Sequence, residues 1–312
     1  MAAPILVFGH KNPDNDAISA AIGYAYLKNE LARRAGEEAV CEACRLGALP
    51  PETEWVLSEH GIEAPRLIDS VAEGQQVILV DHNELLQSAD GLDAAEIVEI
   101  VDHHRLGGLV TAQPLRFNAK PVGSTAAIVA REFEIEGVEM PKGIAALLLG
   151  AMLTDTVIMK SPTTTDFDRD IIARTASALG VDPVKFGMDV FKCRSNPAEL
   201  PVDKLVNADA KEFELSNGNK VYIGQFETVD LEAVLGREAE IREAIKALVA
   251  EKGYQFVLFF ATDILAEGSQ FICEGDTAFV SDVFGVDLNG KSAWMPGVLS
   301  RKKQVAAPIL AH

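Results

Sequence analysis

His10, Asp14 and Asp16 fall within seven residues of one another, in the stretch Gly9-His10-Lys11-Asn12-Pro13-Asp14-Asn15-Asp16. Two carboxylates and an imidazole so close together are costly to hold unless a positive charge sits among them, and a metal ion is the simplest such charge. A mixed set of histidine nitrogen and aspartate oxygen suits Mn²⁺, Fe²⁺ or Co²⁺ better than Mg²⁺ or Ca²⁺, which favour oxygen alone. The spacing of Asp14 and Asp16 puts their carboxylates on opposite sides of a turn, so they can serve two ions rather than chelate one. A third carboxylate, Asp81, is placed to bridge. Such clusters hold two ions about 3.5–4 Å apart and generate a hydroxide between them at neutral pH.

The elements that must position these residues are legible as apolar runs. Short strands are expected at 5–8, 77–80 and 97–101, and they end in His10/Asp14/Asp16, in Asp81-His82 and in Asp102-His103-His104. Ligands of open α/β sheets gather at the carboxyl ends of strands, so these three turns are expected to converge. Between them the spacing predicts a helix over 17–35 stopped by Gly36, a strand over 39–45 and a helix over 53–60 ended by Gly61. Gly123-Ser124-Thr125-Ala126 opens a further helix, with Ser124 or Thr125 as its cap. An apolar helix over 141–153 delivers Thr154-Asp155-Thr156, and an acidic residue at a helix C-terminus again calls for a compensating cation. Helices over 166–179 and 183–192 complete an α/β domain built on a parallel sheet with helices on both faces.

Arg194-Ser195-Asn196-Pro197 breaks the pattern. We therefore expect a first domain at 1–192, a linker at 193–200 and a smaller mixed-sheet α/β domain at 201–312, with the active site in the cleft between the domains. The second domain is expected to hold a helix over 200–207, a hairpin of 212–215 with 221–225 around Ser216-Asn217-Gly218-Asn219, and a helix over 231–252 stopped by Gly253. Strands at 256–261 and 271–273 follow. Near its end, Ser300-Arg301-Lys302-Lys303-Gln304 is a tight basic cluster in an otherwise acidic protein.

The 312 residues carry a formal charge of −19, from 47 acidic and 28 basic side chains. That balance argues against a general polyanion-binding surface, while leaving room for a small phosphate ligand where metals and lysines reverse the local sign. The apolar run 144–152 is too short to span a bilayer and reads as a buried helix. The N-terminus lacks a basic leader segment, so a cytoplasmic protein is expected, with no membrane partner. Cys41 and Cys44 form a lone CxxC and are read as structural thiols. His82 reads as a histidine satisfied by its neighbours, and His60 as a helix-end residue. Arg301-Lys302-Lys303, taken alone, reads as a solvated run.

Taken together, Gly9-His10-Lys11-Asn12-Pro13-Asp14-Asn15-Asp16, Val80-Asp81-His82, Val101-Asp102-His103-His104, Leu153-Thr154-Asp155-Thr156 and Ser300-Arg301-Lys302-Lys303-Gln304 resemble the manganese-dependent (family II) inorganic pyrophosphatases of the DHH phosphoesterase superfamily. The resemblance spans 5–308. It implies a first metal held by His10 and Asp14, a second held by Asp16, His103 and Asp155, and Asp81 bridging the two. It further implies that His104 faces the substrate and assists the leaving group, and that Asp102 supports the histidines from behind. Lys211, Arg301 and Lys302 would grip the phosphates, and Gly123-Ser124-Thr125 would support the loop. Asp14, His104, Lys211, Arg301 and Lys302 are thus the expected catalytic set. Asn15 departs from the family pattern, which usually has a small hydroxyl residue between the two aspartates.

The expected reaction is hydrolysis of inorganic pyrophosphate by a metal-bridged hydroxide at a dinuclear Mn²⁺ or Co²⁺ site, with Mg²⁺ arriving on the substrate. A homodimer without adenine-nucleotide regulation is implied. The alternatives are an exopolyphosphatase, a nuclease of the same superfamily, and a metal-dependent binding protein. A Gly-Gly-Gly-His element is absent from the sequence and aromatic content is 6%, which disfavours nucleic acid.

Overall fold

A computed structural model describes residues 3–38, 41–194 and 196–312. The chain divides into two compact units, Met1–Arg194 and Ser195–His312. The first two residues of the strand expected over 39–45, and Ser195 at the expected break, lie outside the described residues.

In the first unit, strands β1 (Ile5–Phe8), β2 (Cys41–Arg45), β3 (Arg66–Leu67), β4 (Gln76–Val80), β5 (Glu96–Asp102) and β6 (Arg116–Ala119) form one sheet in the order β3-β2-β1-β4-β5-β6. Every pairing between these strands is parallel. The chain order reverses between β1 and β4, whose register pairs Phe8 with Leu79. The loops leaving these two neighbours diverge and leave a crevice, the usual ligand position in such a sheet. Leu6, Phe8, Val77, Leu79 and Ile100 share a buried cluster on one face, covered by Leu92 of the 3₁₀ turn Leu92–Ala94 and by loop residues including Ile68, Val71 and Ala89. By strand alternation Val7, Ile78 and Val101, all buried, face the other side.

The helices of this unit are α1 (Asn15–Ala35), α2 (Pro51–Glu59), α3 (Thr125–Ile135), α4 (Lys142–Asp155), α5 (Asp166–Leu179) and α6 (Pro183–Arg194). Helix α1 packs against α3 and α4, and α4 in turn against α5 and α6. Helix α4 is buried from Ile144 to Thr154 on every face, which explains a sequence apolar without periodicity. Among the described residues, no helix is long and apolar enough to cross a membrane. Helix α1 begins on the Asp14 cap, whose carboxylate accepts the Ala17 N–H at 2.9 Å, and ends on Gly36 in the left-handed conformation. Strands β3 and β6 were not anticipated. β3 is two residues long, and β6 has exposed or half-exposed side chains throughout and lacks an apolar run.

In the second unit, β7 (Ala210–Glu214), β8 (Lys220–Thr228), β9 (Phe256–Asp263), β10 (Gly268–Gly275) and β11 (Ala293–Pro296) form a mixed sheet in the order β11-β10-β9-β8-β7. Only β8 and β9 run parallel within it. One face, with Val221, Ile223, Leu258, Phe260 and Phe271, packs against Val280 of α10 (Thr277–Phe284) and Val305 and Ile309 of the C-terminal segment. The other, with Val257, Phe259 and Ile272, packs against α7 (Val202–Val206), α8 (Leu231–Leu235) and α9 (Glu238–Lys252).

The single helix expected over 231–252 is therefore two helices. Glycine weakens the helix at Gly236, and the Arg237 guanidinium is tied to the Pro197 and Leu200 carbonyls at 2.7 and 2.6 Å, which redirects the chain. The basic cluster is also not an extended run. Arg301–Ala306 forms a widened helical turn capped by Ser300 and continues into Ala307–Ala311.

Candidate functional site

Gly9 brings the end of β1 against the start of α1. A Cβ there would lie 2.5 Å from the Ala17 side chain and 2.8 Å from its Cα, so only glycine permits the approach. The tight turn points His10 and Asp14 outward while Asp16, fully buried, turns under α3. Asp16 accepts the backbone N–H groups of Thr125 and Ala126 at 2.6 and 2.8 Å, the positive end of that helix. Asp81 directly follows β4 in a left-handed backbone conformation (φ 61°) with its carboxylate 1% exposed.

Asp81 lies at the centre of the arrangement. Its Oδ1 is 3.3 Å from His103 Nε2, 3.6 Å from His104 Nδ1 and 3.0 Å from the Thr125 hydroxyl that donates to it. Its Oδ2 is 3.5 Å from His10 Nε2 and, although buried, accepts no hydrogen bond from the described residues. Among the described residues, three groups gather ligand atoms within 4.8 Å of one another: His10 with Asp14 and Asp81, Asp16 with His103 and Asp155, and Asp81 with His103 and His104. The structure thus brings His10, Asp14, Asp16, Asp81, His103, His104 and Asp155 together and separates Asp14 from Asp16. A cavity of about 370 Å³ opens beside them, bounded by His10, Asp81, Asn83, His104 and Arg105.

The histidines are set in the state that metals require. His10 Nδ1 lies 2.9 Å from the Lys11 carbonyl and His103 Nδ1 lies 2.9 Å from the Val122 carbonyl. A carbonyl only accepts, so each Nδ1 carries a proton and Nε2 is the nitrogen turned to the carboxylates, the one a metal would take in place of its proton. His82 provides the contrast. Both its nitrogens are engaged, by the Val80 carbonyl at 2.9 Å and the Ser88 hydroxyl at 3.1 Å, and it leaves no free lone pair.

The electrostatics point the same way. Burial, reinforced by the charges of Asp81 and Asp14, holds Asp16 well above the usual carboxylate range. Burial and the neighbouring Asp16, Asp14 and Asp81 do the same to Asp155. Burial would lower His10 and His103, yet the nearby carboxylates of Asp14 and Asp81 raise His10 to about 11, and Asp81 raises His103 to about 9. These groups retain protons because the negative charge of the carboxylates is under-compensated, and a divalent cation is the kind of charge that would compensate it. With the orphaned Asp81 Oδ2 and the two Nε2 atoms turned to the carboxylates, the residues fit divalent cations of mixed N/O preference.

Asp102, fully buried, accepts from the His104 backbone N–H and from His104 Nδ1, both at 3.0 Å. His104 is half exposed and raised by this carboxylate, so its Nε2 is the free edge. Asn83 went unnoticed in the sequence. Its amide donates to Asp102 and to the Arg105 carbonyl, and its Oδ1 accepts from Gly107 N–H, clamping the loop that bears both histidines. Its position two residues after Asp81 was the available signal. Thr125, read as loop support, donates to Asp81 itself.

Asp155 ends α4, and the chain then turns through three left-handed residues, Val157, Ile158 and Met159 (φ 49°, 50° and 63°). Such a conformation costs about 1–2 kcal/mol per residue, and buried Ile158 anchors it. Gly123 fits beneath it, where a Cβ would strike the Thr156 methyl at 2.6 Å, and its N–H is held by buried Asp168.

In the second unit, Arg301 is buried, with Nη2 3.0 Å from Asp209 Oδ1 and with Nε and Nη1 lacking a hydrogen-bond partner among the described residues. The expected solvated run is thus incorrect for Arg301, though Lys302 and Lys303 are exposed. Buried Gln225 accepts the Arg301 N–H at 3.1 Å and donates to the Leu299 carbonyl at 3.0 Å. Lys211 is exposed on β7, two residues beyond Asp209. Cys41 and Cys44 are free thiols, pushed up to about 11 by burial, as befits structural residues.

The chain matches the DHH family N-terminal domain over residues 4–152 and the DHHA2 domain over residues 188–312. It is 38% identical over 312 residues to the manganese-dependent inorganic pyrophosphatase of Methanocaldococcus jannaschii, an alignment covering 97% of each protein. A protein of Archaeoglobus fulgidus, named a probable manganese-dependent inorganic pyrophosphatase, is 42% identical over 313 residues, covering 98% of this chain and 97% of the other. The chain belongs to the manganese-dependent inorganic pyrophosphatase family. A crystal structure from Methanococcus jannaschii, described as that of a family II inorganic pyrophosphatase, superposes with a TM-score of 0.59 at 38% identity and 98% coverage of both chains. An exopolyphosphatase-related protein of Bacteroides fragilis shares the fold at 16% identity and a TM-score of 0.51, over 99% of this chain and 92% of that one.

Proposed function

We propose that this protein hydrolyses inorganic pyrophosphate to two phosphates with two divalent cations, Mn²⁺ or Co²⁺, bound in its first unit and Mg²⁺ accompanying the substrate. Membership of the pyrophosphatase family supports the substrate. The observation that carries the dinuclear reading is Asp81, whose two oxygens face different histidines, one beside Asp14 and the other beside Asp155. His10 and Asp14 would hold one ion, Asp16, His103 and Asp155 the other, and Asp81 both. When bound, the cations supply Lewis-acid charge and lower the pKa of attacking water toward neutrality.

The remaining work belongs to side chains. Asp102 holds His104 by Nδ1 and raises its pKa, favouring the protonated ring whose Nε2 would give a proton to the oxygen of the departing phosphate. Arg301, whose free N–H donors are already desolvated, would bind phosphate oxygens, and Lys211 and Lys302 would add charge against the negative charge that accumulates in phosphoryl transfer. This reading assigns metal binding to 1–192 and phosphate binding to 201–312, joined by 193–200. It also takes the protein as a cytoplasmic homodimer, whose stoichiometry light scattering checks.

The test is phosphate release from pyrophosphate, triphosphate, long-chain polyphosphate and a dinucleotide, after loading with Mn²⁺ or Co²⁺ and with Mg²⁺ present. The expected result is strong preference for pyrophosphate, lost on chelation and restored by Mn²⁺. Equal or faster release from polyphosphate would make the protein an exopolyphosphatase and overturn the substrate assignment.

A further inference from the structure

Asn15 lies between two of the proposed ligands and is 1% exposed. Its Oδ1 accepts the hydroxyl of Thr53, on α2, at 2.8 Å and that of Ser19, one turn along α1, at 3.2 Å. Its Nδ2 donates to Thr154 Oγ1, on α4, at 3.3 Å. The Thr154 hydroxyl proton is itself committed to the Ala151 carbonyl at 2.9 Å, so Thr154 presents a lone pair and the amide can lie only one way round. One buried side chain thereby ties three helices at the point where two of them deliver carboxylates. Asn15 is covalently next to Asp14 and Asp16, and Thr154 is next to Asp155.

We propose that Asn15 is a positioning residue that sets Asp16 relative to Asp155, and hence the geometry of the ion those two share with His103. The proposal rests on the dinuclear reading above. The chemical argument is one of capacity. A buried carboxamide has two acceptor lone pairs and two donor hydrogens, so it can receive Thr53 and Ser19 and still donate to Thr154. The small hydroxyl residue usual at this position in the resembling family has a single donor proton and a shorter reach, and cannot serve all three partners. Asn15 is thus a cross-brace between α1 and α4. Hydrogen-bonded partners behind metal ligands typically change metal affinity by about 10–100-fold when removed.

The two sides of the amide make the proposal separable from simple packing. Thr53 touches the oxygen side, away from Asp155, and Thr154 touches the nitrogen side, next to it. Mn²⁺ binding would be measured by calorimetry and by electron paramagnetic resonance on wild type and on Asn15→Ala, Thr154→Val and Thr53→Val, with thermal unfolding recorded in parallel. Asn15→Ala and Thr154→Val are expected to weaken one of two Mn²⁺ sites by about 10–100-fold and to broaden the coupled two-ion signal. Thr53→Val is expected to lower the melting temperature and leave both affinities within about twofold, because the bond to Thr154 survives. Asn15→Thr, which keeps one hydroxyl, should recover part of the lost affinity.

Thr154→Val is close to isosteric and keeps the test alive if Asn15→Ala fails to fold. Wild-type affinity in Asn15→Ala and Thr154→Val, or equal losses in Thr53→Val and Thr154→Val, would overturn the proposal while leaving the metal centre standing. Failure of wild type to bind two Mn²⁺ would bring down both readings together.

Discussion

Two buried polar regions stand out in this molecule, and they are opposite in sign. In the first unit, carboxylates crowd together, Asp16 and Asp155 are pushed toward the neutral form, and Asp81 Oδ2 has no donor. In the second, Arg301 is buried with one carboxylate partner and two nitrogens that find no acceptor. Native proteins seldom leave such atoms unsatisfied, so each orphan indicates the charge of what belongs there. The first region lacks cations and the second lacks an anion. On the proposed reading, metal ions would serve the first and the phosphates of pyrophosphate the second.

The most severe way to break this comparison is to remove the shared oxygen pair. Asp81→Ala is expected to abolish two-ion binding and to cut turnover on the order of a thousandfold or more, read by metal content and phosphate release. Retention of two tightly bound Mn²⁺ would refute the central role of Asp81. Lys302→Ala tests the other region. Turnover should fall about a hundredfold, as when one donor to developing charge is lost, with metal content near that of wild type. Loss of metal in that variant would contradict the role assigned to Lys302.

Two milder experiments sharpen the comparison. Mn²⁺ at a hundredfold excess over its dissociation constant should raise the melting temperature by about 5–10 °C. Asp81→Ala should remove most of that gain, while Lys302→Ala should keep it. Gln225→Leu removes the groups that hold the Arg301 backbone and the Leu299 carbonyl. We expect KM for pyrophosphate to rise about tenfold with Mn²⁺ affinity unchanged. An unchanged KM would show that Arg301 needs no such support.

Much of the fold was legible because its signals are local. Alternation and apolar runs located β1, β4, β5 and β9, while Ser124 or Thr125 as a cap and Gly36 and Gly253 as stops set helix ends within a few residues. The same locality explains the misses. The break between α8 and α9 depends on Arg237 meeting carbonyls some forty residues away, at Pro197 and Leu200, and β6 exists only because Asp102 and its neighbours offer it a parallel partner.

The candidate site divides along the same line. Sequence alone determined which residue types cluster at strand ends and that such a cluster calls for cations, because charge density within a turn is a local property. It did not determine which oxygen faces which nitrogen. That depends on β4 lying between β1 and β5, which sets Asp81 among His10, His103 and His104. The histidine tautomers follow from carbonyls as distant in sequence as Val122, and the burial of Arg301 follows from packing in its own unit. Asn15 looked like a simple departure from a pattern. Only the tertiary structure gave it partners 38 and 139 residues away, because a buried amide is defined by the hydrogen bonds that neighbouring helices bring to it.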